Sequence, residues 1–170
     1  MLNRQEQFRI AAQYVADSLS SIPEVQKAVL FGSVTRPLKK EVPRFRKFRR
    51  AGIAIRHECQ DVDMAVWISD LSCLKSIQKA RSRALNHLLA EKQIGVAHHQ
   101  VDIFIMEPET DRYLGRLCIF GFCPKGKDKF RVPGCGETRF LQQHEGFQFE
   151  PKDLDDEANV VLFERPEESS

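Results

Sequence analysis

Three aspartates of this chain stand in segments where a β-strand has little use for them. The run from Asp61 to Ile68 (DVDMAVWI) and the run from Gln100 to Met106 (QVDIFIM) are otherwise apolar and rich in β-branched or large side chains, the composition of strands. Side chains alternate along a strand, so Asp61, Asp63, Ala65 and Trp67 share one face and Val62, Met64, Val66 and Ile68 the other. In the second run Val101, Ile103 and Ile105 face one way, and Asp102, Phe104 and Met106 face the other. Asp61 and Asp63 are then about 7 Å apart along one face. Carboxylates in a strand bordering a core are costly unless an opposite charge compensates them. A divalent cation such as Mg²⁺ is one such charge, and it favours a few carboxylates together with phosphate and water oxygens.

A third strand is predicted from Val25 to Phe31 (VQKAVLF), ending in the continuous apolar run of a segment covered on both sides. It runs directly into Gly32-Ser33. Glycine permits a tight turn and close backbone approach, and exposed N–H groups beside a serine hydroxyl suit a phosphate oxygen. Helical periodicity surrounds these strands. Phe8, Ala11, Ala12, Val15 and Leu19 predict a helix over 4–20, stopped by Pro23. Leu71, Leu74, Ile77, Ala84, Leu85 and Leu88 predict another over 70–93, with Ser69 or Asp70 as its cap and Gly95 at its end. The cationic Lys75, Lys79, Arg81 and Arg83 are expected largely off that apolar stripe.

The order of these parts resembles the nucleotidyltransferase fold, the superfamily of DNA polymerase beta and the small bacterial nucleotidyltransferases. The resemblance is carried by VLFGS (Val29 to Ser33), DVD (Asp61 to Asp63) and VDIFI (Val101 to Ile105), and it spans about residues 3–107. It implies that Gly32 and Ser33 contact nucleotide phosphates. It also implies that Asp61 and Asp63 bind two Mg²⁺ (or Mn²⁺) ions, while Asp102 binds one and assists deprotonation of a hydroxyl acceptor. The implied activity is transfer of a nucleoside monophosphate from a triphosphate such as ATP to a small molecule, a protein side chain or an RNA end. A catalytically silent nucleotide-binding or antitoxin-like module, engaging another protein, is the alternative within the same fold. Val34 to Gln60, 27 residues, separate the Gly-Ser from the first aspartate, a longer link than is usual in that family.

Charge is distributed unevenly. Arg36 to Arg50 holds eight basic residues against Glu41, whereas Glu145 to Ser170 holds nine acids against Lys152 and Arg165. The basic stretch interleaves Phe45 and Phe48, a pattern that suits either a short docked helix or single-stranded nucleic acid. Past Pro108 the chain becomes rich in Gly, Cys and Phe, and Asn159 to Glu164 predicts a last strand. Cys118, Cys123, Cys135 and His144 loosely resemble a zinc site. That pattern supports a second alternative, a zinc-containing nucleic-acid-binding protein. His57, Cys59, His98 and His99 flank the aspartate strands and form a weaker transition-metal candidate.

The expected architecture is an α/β protein of the α+β type, with a small mixed sheet and helices mainly on one face. A nucleotidyltransferase-like domain is expected over 1–107, with its basic insertion at 34–60, and a Cys/Gly-containing lobe with an acidic tail over 108–170. With 42% hydrophobic and 29% charged residues, global disorder is excluded. No run approaches the length of a membrane span, no secretory signal opens the sequence, and five cysteines is an odd number. A cytoplasmic protein without a membrane partner is the expectation.

Overall fold

The alternation seen in the sequence places two different surfaces on one sheet. The computed structural model describes residues 2–35, 50–51, 61–120, 135, 137–143, 149, 154 and 157–167. The strands are β1 (Val25–Phe31), β2 (Val62–Ile68), β3 (Val101–Met106), β4 (Tyr113–Leu117), β5 (Leu141–Gln142) and β6 (Val160–Glu164). They form a six-stranded sheet in the order β5-β4-β3-β2-β1-β6. Among the described residues β2 and β3 pair in parallel, and the other four pairings are antiparallel. The result is the expected α+β class, with three of the predicted strands at its centre and the fourth, β6, at one edge.

Two long helices among the described residues, α1 (Arg4–Leu19) and α2 (Leu74–Lys92), cover one side. α1 starts in a capping box: Asn3 Oδ1 accepts from the Glu6 N–H at 2.8 Å, and Glu6 Oε2 accepts from the Asn3 N–H at 3.0 Å. Its small residues Ala11, Ala12 and Ala16 are fully buried and let α1 lie close to Ala80 and Ala84 of α2. Below the helices, Val62, Met64, Val66, Val101, Ile103 and Ile105 complete one continuous core with Phe8, Val15, Ile77 and Leu88. Each large side chain so buried contributes about 1.5–3 kcal/mol of transfer free energy. α2 also supplies the long crossover that a parallel β2–β3 pair requires.

Several local expectations change. α2 ends on Gln93, which takes the left-handed conformation at φ 57° and donates its N–H to Leu89 O at 3.0 Å. Gly95 is therefore not the cap; its carbonyl accepts from Arg4 Nη1 at 2.9 Å. Asp70 caps a single 3₁₀ turn, Leu71–Cys73, rather than the α-helix itself. Arg81 is not off the stripe. It lies one turn from both Ile77 and Leu85 and is buried, with Nη1 donating to Val101 O at 3.0 Å.

The stretch 108–170 contributes strands to both edges of the sheet. β4 and β5 extend it beyond β3, and β6 pairs with β1. Arg165 pins the end of β6 by donating to the carbonyls of Val25, Ser20 and Ile22, each at 3.1 Å. The basic residues Arg36 to Arg49 lie outside the described residues, together with Phe45, Phe48, His57 and Cys59.

Candidate functional site

The opposite face of the sheet holds the acids. In the parallel pair, Asp63 of β2 stands directly beside Asp102 of β3. Across the antiparallel pair, Asp63 stands opposite Phe31, the last residue of β1. Neighbouring strands are about 4.8 Å apart, so the two carboxylates start from adjacent rungs of one face. Asp61 is exposed just before β2 begins.

The Gly-Ser bend follows Phe31 immediately, as a 3₁₀ turn over Gly32–Thr35. Gly32 has φ +81°, and a Cβ built there would fall 2.7 Å from Asp63 Oδ2. Two constraints thus demand glycine, the left-handed backbone and the carboxylate packed against it. Ser33 is exposed at the bend, whereas Val34 is buried beneath it. α1 fixes the bend from below. Gln5 Nε2 and Arg9 Nε donate to Val34 O at 2.9 and 3.0 Å, and Thr35 Oγ1 closes the turn by donating to Gly32 O at 2.8 Å. Gln5 and Arg9, one helical turn apart, support the bend that the sequence located.

Electrostatics mark Asp63. Its pKa is raised to about 6, first by burial, then by the charges of Asp102 and Asp61, with Arg116 opposing. Asp63 therefore feels both other aspartates. Arg116, on β4 and opposite Phe104, donates from Nη1 to Asp102 Oδ1 at 3.2 Å and from Nη2 to Gln142 Oε1 at 3.4 Å. Sequence inspection passed over this residue. Its position depends on the β3–β4 register, and no local pattern encodes that. Arg81 approaches from the helix side, where burial lowers its pKa and the charge of Asp102 raises it.

The donor set suits a hard cation: carboxylate oxygens beside a bend offering backbone and hydroxyl groups. As placed, the acids do not form a closed shell. Among the described residues no three His, Cys, Asp or Glu side chains group closely enough to hold a metal ion, and Arg116 engages Asp102.

Beside the acids the same face becomes aromatic. Phe31, Phe104, Tyr113 and Phe149 pack in a cluster, with Phe31–Phe104 centroids at 5.5 Å and Tyr113–Phe149 stacked at 5.6 Å. Burial pushes the Tyr113 hydroxyl up to about 12.

Of the loose zinc pattern, Cys123 and His144 lie outside the described residues. Cys118 is a half-buried thiol whose Sγ accepts from the Phe120 N–H at 3.5 Å. His98 and His99 are exposed on a 3₁₀ turn before β3, with their rings 5.8 Å apart. Among the described residues no helix is long and apolar enough to cross a membrane. Comparison of the chain with protein-family models, with curated proteins and with solved structures gave no significant match.

Proposed function

We propose that this chain is a Mg²⁺-dependent nucleotidyltransferase that moves a nucleoside monophosphate from a nucleoside triphosphate to a hydroxyl acceptor. The observation that carries the proposal is the in-register Asp63–Asp102 pair with the Gly32 bend packed against Asp63. In this mechanism Asp61 and Asp63 would hold two Mg²⁺ ions and Asp102 would hold one of them. Bound there, Mg²⁺ would neutralise triphosphate charge and stabilise the in-line displacement at phosphorus. The backbone of Gly32 and the hydroxyl of Ser33 steady phosphate oxygens. Asp102 accepts the proton of the acceptor hydroxyl. The hydroxyl oxygen bonds to the α-phosphorus, the bond to the β-phosphate oxygen breaks, and pyrophosphate leaves. Small-molecule, protein and RNA-end hydroxyls are all chemically competent acceptors, and a cytoplasmic setting supplies the triphosphate.

The test is incubation with labelled ATP, CTP, GTP and UTP and Mg²⁺ or Mn²⁺, followed by pyrophosphate release and label transfer. Asp61→Asn combined with Asp63→Asn is expected to lower the rate by about 10³-fold or more, a loss of roughly 4 kcal/mol in transition-state stabilisation. Unchanged activity in that double variant overturns the assignment.

The Arg116–Asp102 ion pair favours a second reading, a nucleotide-binding module of the same fold that does not turn over and serves a protein partner. Nucleotide binding without pyrophosphate release in every arm of the same assay selects it.

A further inference from the structure

Arg116 stands apart from Arg81 and Arg165. Arg165 places its donors on three backbone carbonyls, and Arg81 reaches a backbone carbonyl from beneath the sheet. Both are spent on structure. Arg116 instead faces the acids with its side chain 30% exposed, and it meets Asp102 through a single 3.2 Å contact. Its second contact, to Gln142, is 3.4 Å. A firm charge-assisted pair closes at about 2.7–2.9 Å and is often two-handed. The guanidinium is therefore held in place by weak contacts.

Its backbone, by contrast, is fixed. The preceding Gly115 has φ +144°, and a Cβ there would meet Leu141 Cγ at 2.8 Å, Gln143 Nε2 at 2.9 Å and Gln142 O at 3.0 Å. The β3–β4 register shifts between Ile105 and Met106, which sets Arg116 opposite Phe104, one same-face step from Asp102. A rigid strand thus aims a long side chain with loose head-group contacts at the candidate site. A guanidinium fork matches phosphate oxygens at least as well as a carboxylate, and a triphosphate carries more charge than one aspartate.

We propose that Arg116 is the exchangeable counter-ion of the acidic face. It pairs with Asp102 in the nucleotide-free protein, and it releases that carboxylate to grip a triphosphate oxygen when nucleotide binds. The inference rests on the nucleotidyltransferase reading of the site and assigns Arg116 a substrate-binding role within it.

The experiment measures two equilibria by titration calorimetry in the full chain: Mn²⁺ alone, and a non-hydrolysable ATP analogue in the presence of Mn²⁺. Arg116→Gln removes one cation from beside Asp102 and is expected to bind Mn²⁺ about fivefold more tightly, while binding the analogue about tenfold more weakly. Opposite movement of the two affinities is the signature, since a merely structural role weakens both. Unchanged or weaker Mn²⁺ binding, or unchanged analogue binding, overturns the proposal. If Arg116→Gln does not fold, Arg116→Lys decides. An ammonium cannot span Asp102 and Gln142 together, so Mn²⁺ binding is expected to tighten by about threefold, and weakening overturns the proposal. Asp63→Asn separates this idea from its premise. If Asp63→Asn abolishes Mn²⁺ binding while the Arg116 variants fail the signature, the counter-ion role falls and the site stands. If the unaltered chain binds neither probe, both fall.

Discussion

The two faces of the sheet are built from the same strands and do opposite things. On the helix-covered face, Val62, Met64, Ile103 and Ile105 are sealed by α1 and α2. On the other face, the next residue along each strand is Asp63 or Asp102, followed by an aromatic cluster. One face is dry and closed and maximises burial. The other buries Asp63 beside Asp102 and Asp61; burial first and the neighbouring charges second raise its pKa, and both work against stability. Period-two alternation lets one strand serve both surfaces, so a chemical change on one face need not disturb packing on the other.

The largest effect should come from breaking the closed face. Phe8 is fully buried between α1 and the sheet, and Phe8→Ala is expected to cost about 3–5 kcal/mol, read as a lower denaturant midpoint. On the acidic face, Gly32→Ala strains a φ of +81° and drives a methyl into Asp63 Oδ2. A loss of about 1–3 kcal/mol is expected, accompanied by loss of nucleotide binding, whereas Phe8→Ala should leave binding by the folded fraction intact.

Asp63→Asn should act in the opposite direction. The folded carboxyl titrates near about 6 and the unfolded one near about 4. Below that window both states hold the proton and the residue costs nothing. As pH rises through it, the unfolded chain ionises first, so stability falls and stays lower above it. The amide removes this cost. Melting curves should show the variant more stable by about 2 kcal/mol at neutral pH and equal to the parent near pH 4. An unchanged difference across that range would disprove the electrostatic origin. The smallest effect is expected for Gln5→Leu, about 1 kcal/mol. It removes one of two donors to Val34 O and leaves Arg9 in place. Its check is a thermal melt alongside nucleotide affinity, which should fall modestly as the bend loosens.

The central fold was legible because its signals are local. Three apolar runs gave β1, β2 and β3, and 3.6-residue periodicity gave α1 and α2 to within a few residues. The acids, the Gly-Ser bend and the face each occupies followed from alternation. What escaped depended on distant partners. β4 carries Arg116 and a wedged Gly115, which blur its strand pattern, and its place in the sheet comes from pairing with Phe104. Helical period places Arg81 largely off the apolar stripe, and it is the sheet that supplies the Val101 carbonyl its buried guanidinium meets.

By itself the amino-acid order determined the strands β1, β2, β3 and β6, the two long helices, and which side of β2 and β3 is acidic, because those properties are set within a few residues by backbone period and side-chain polarity. Only the tertiary structure decided that Asp63 and Asp102 stand side by side, that Gly32 closes on Asp63, and that Arg116 reaches Asp102. Those are matters of strand order and register, fixed by the burial of a whole sheet face against two helices rather than by any short stretch of chain.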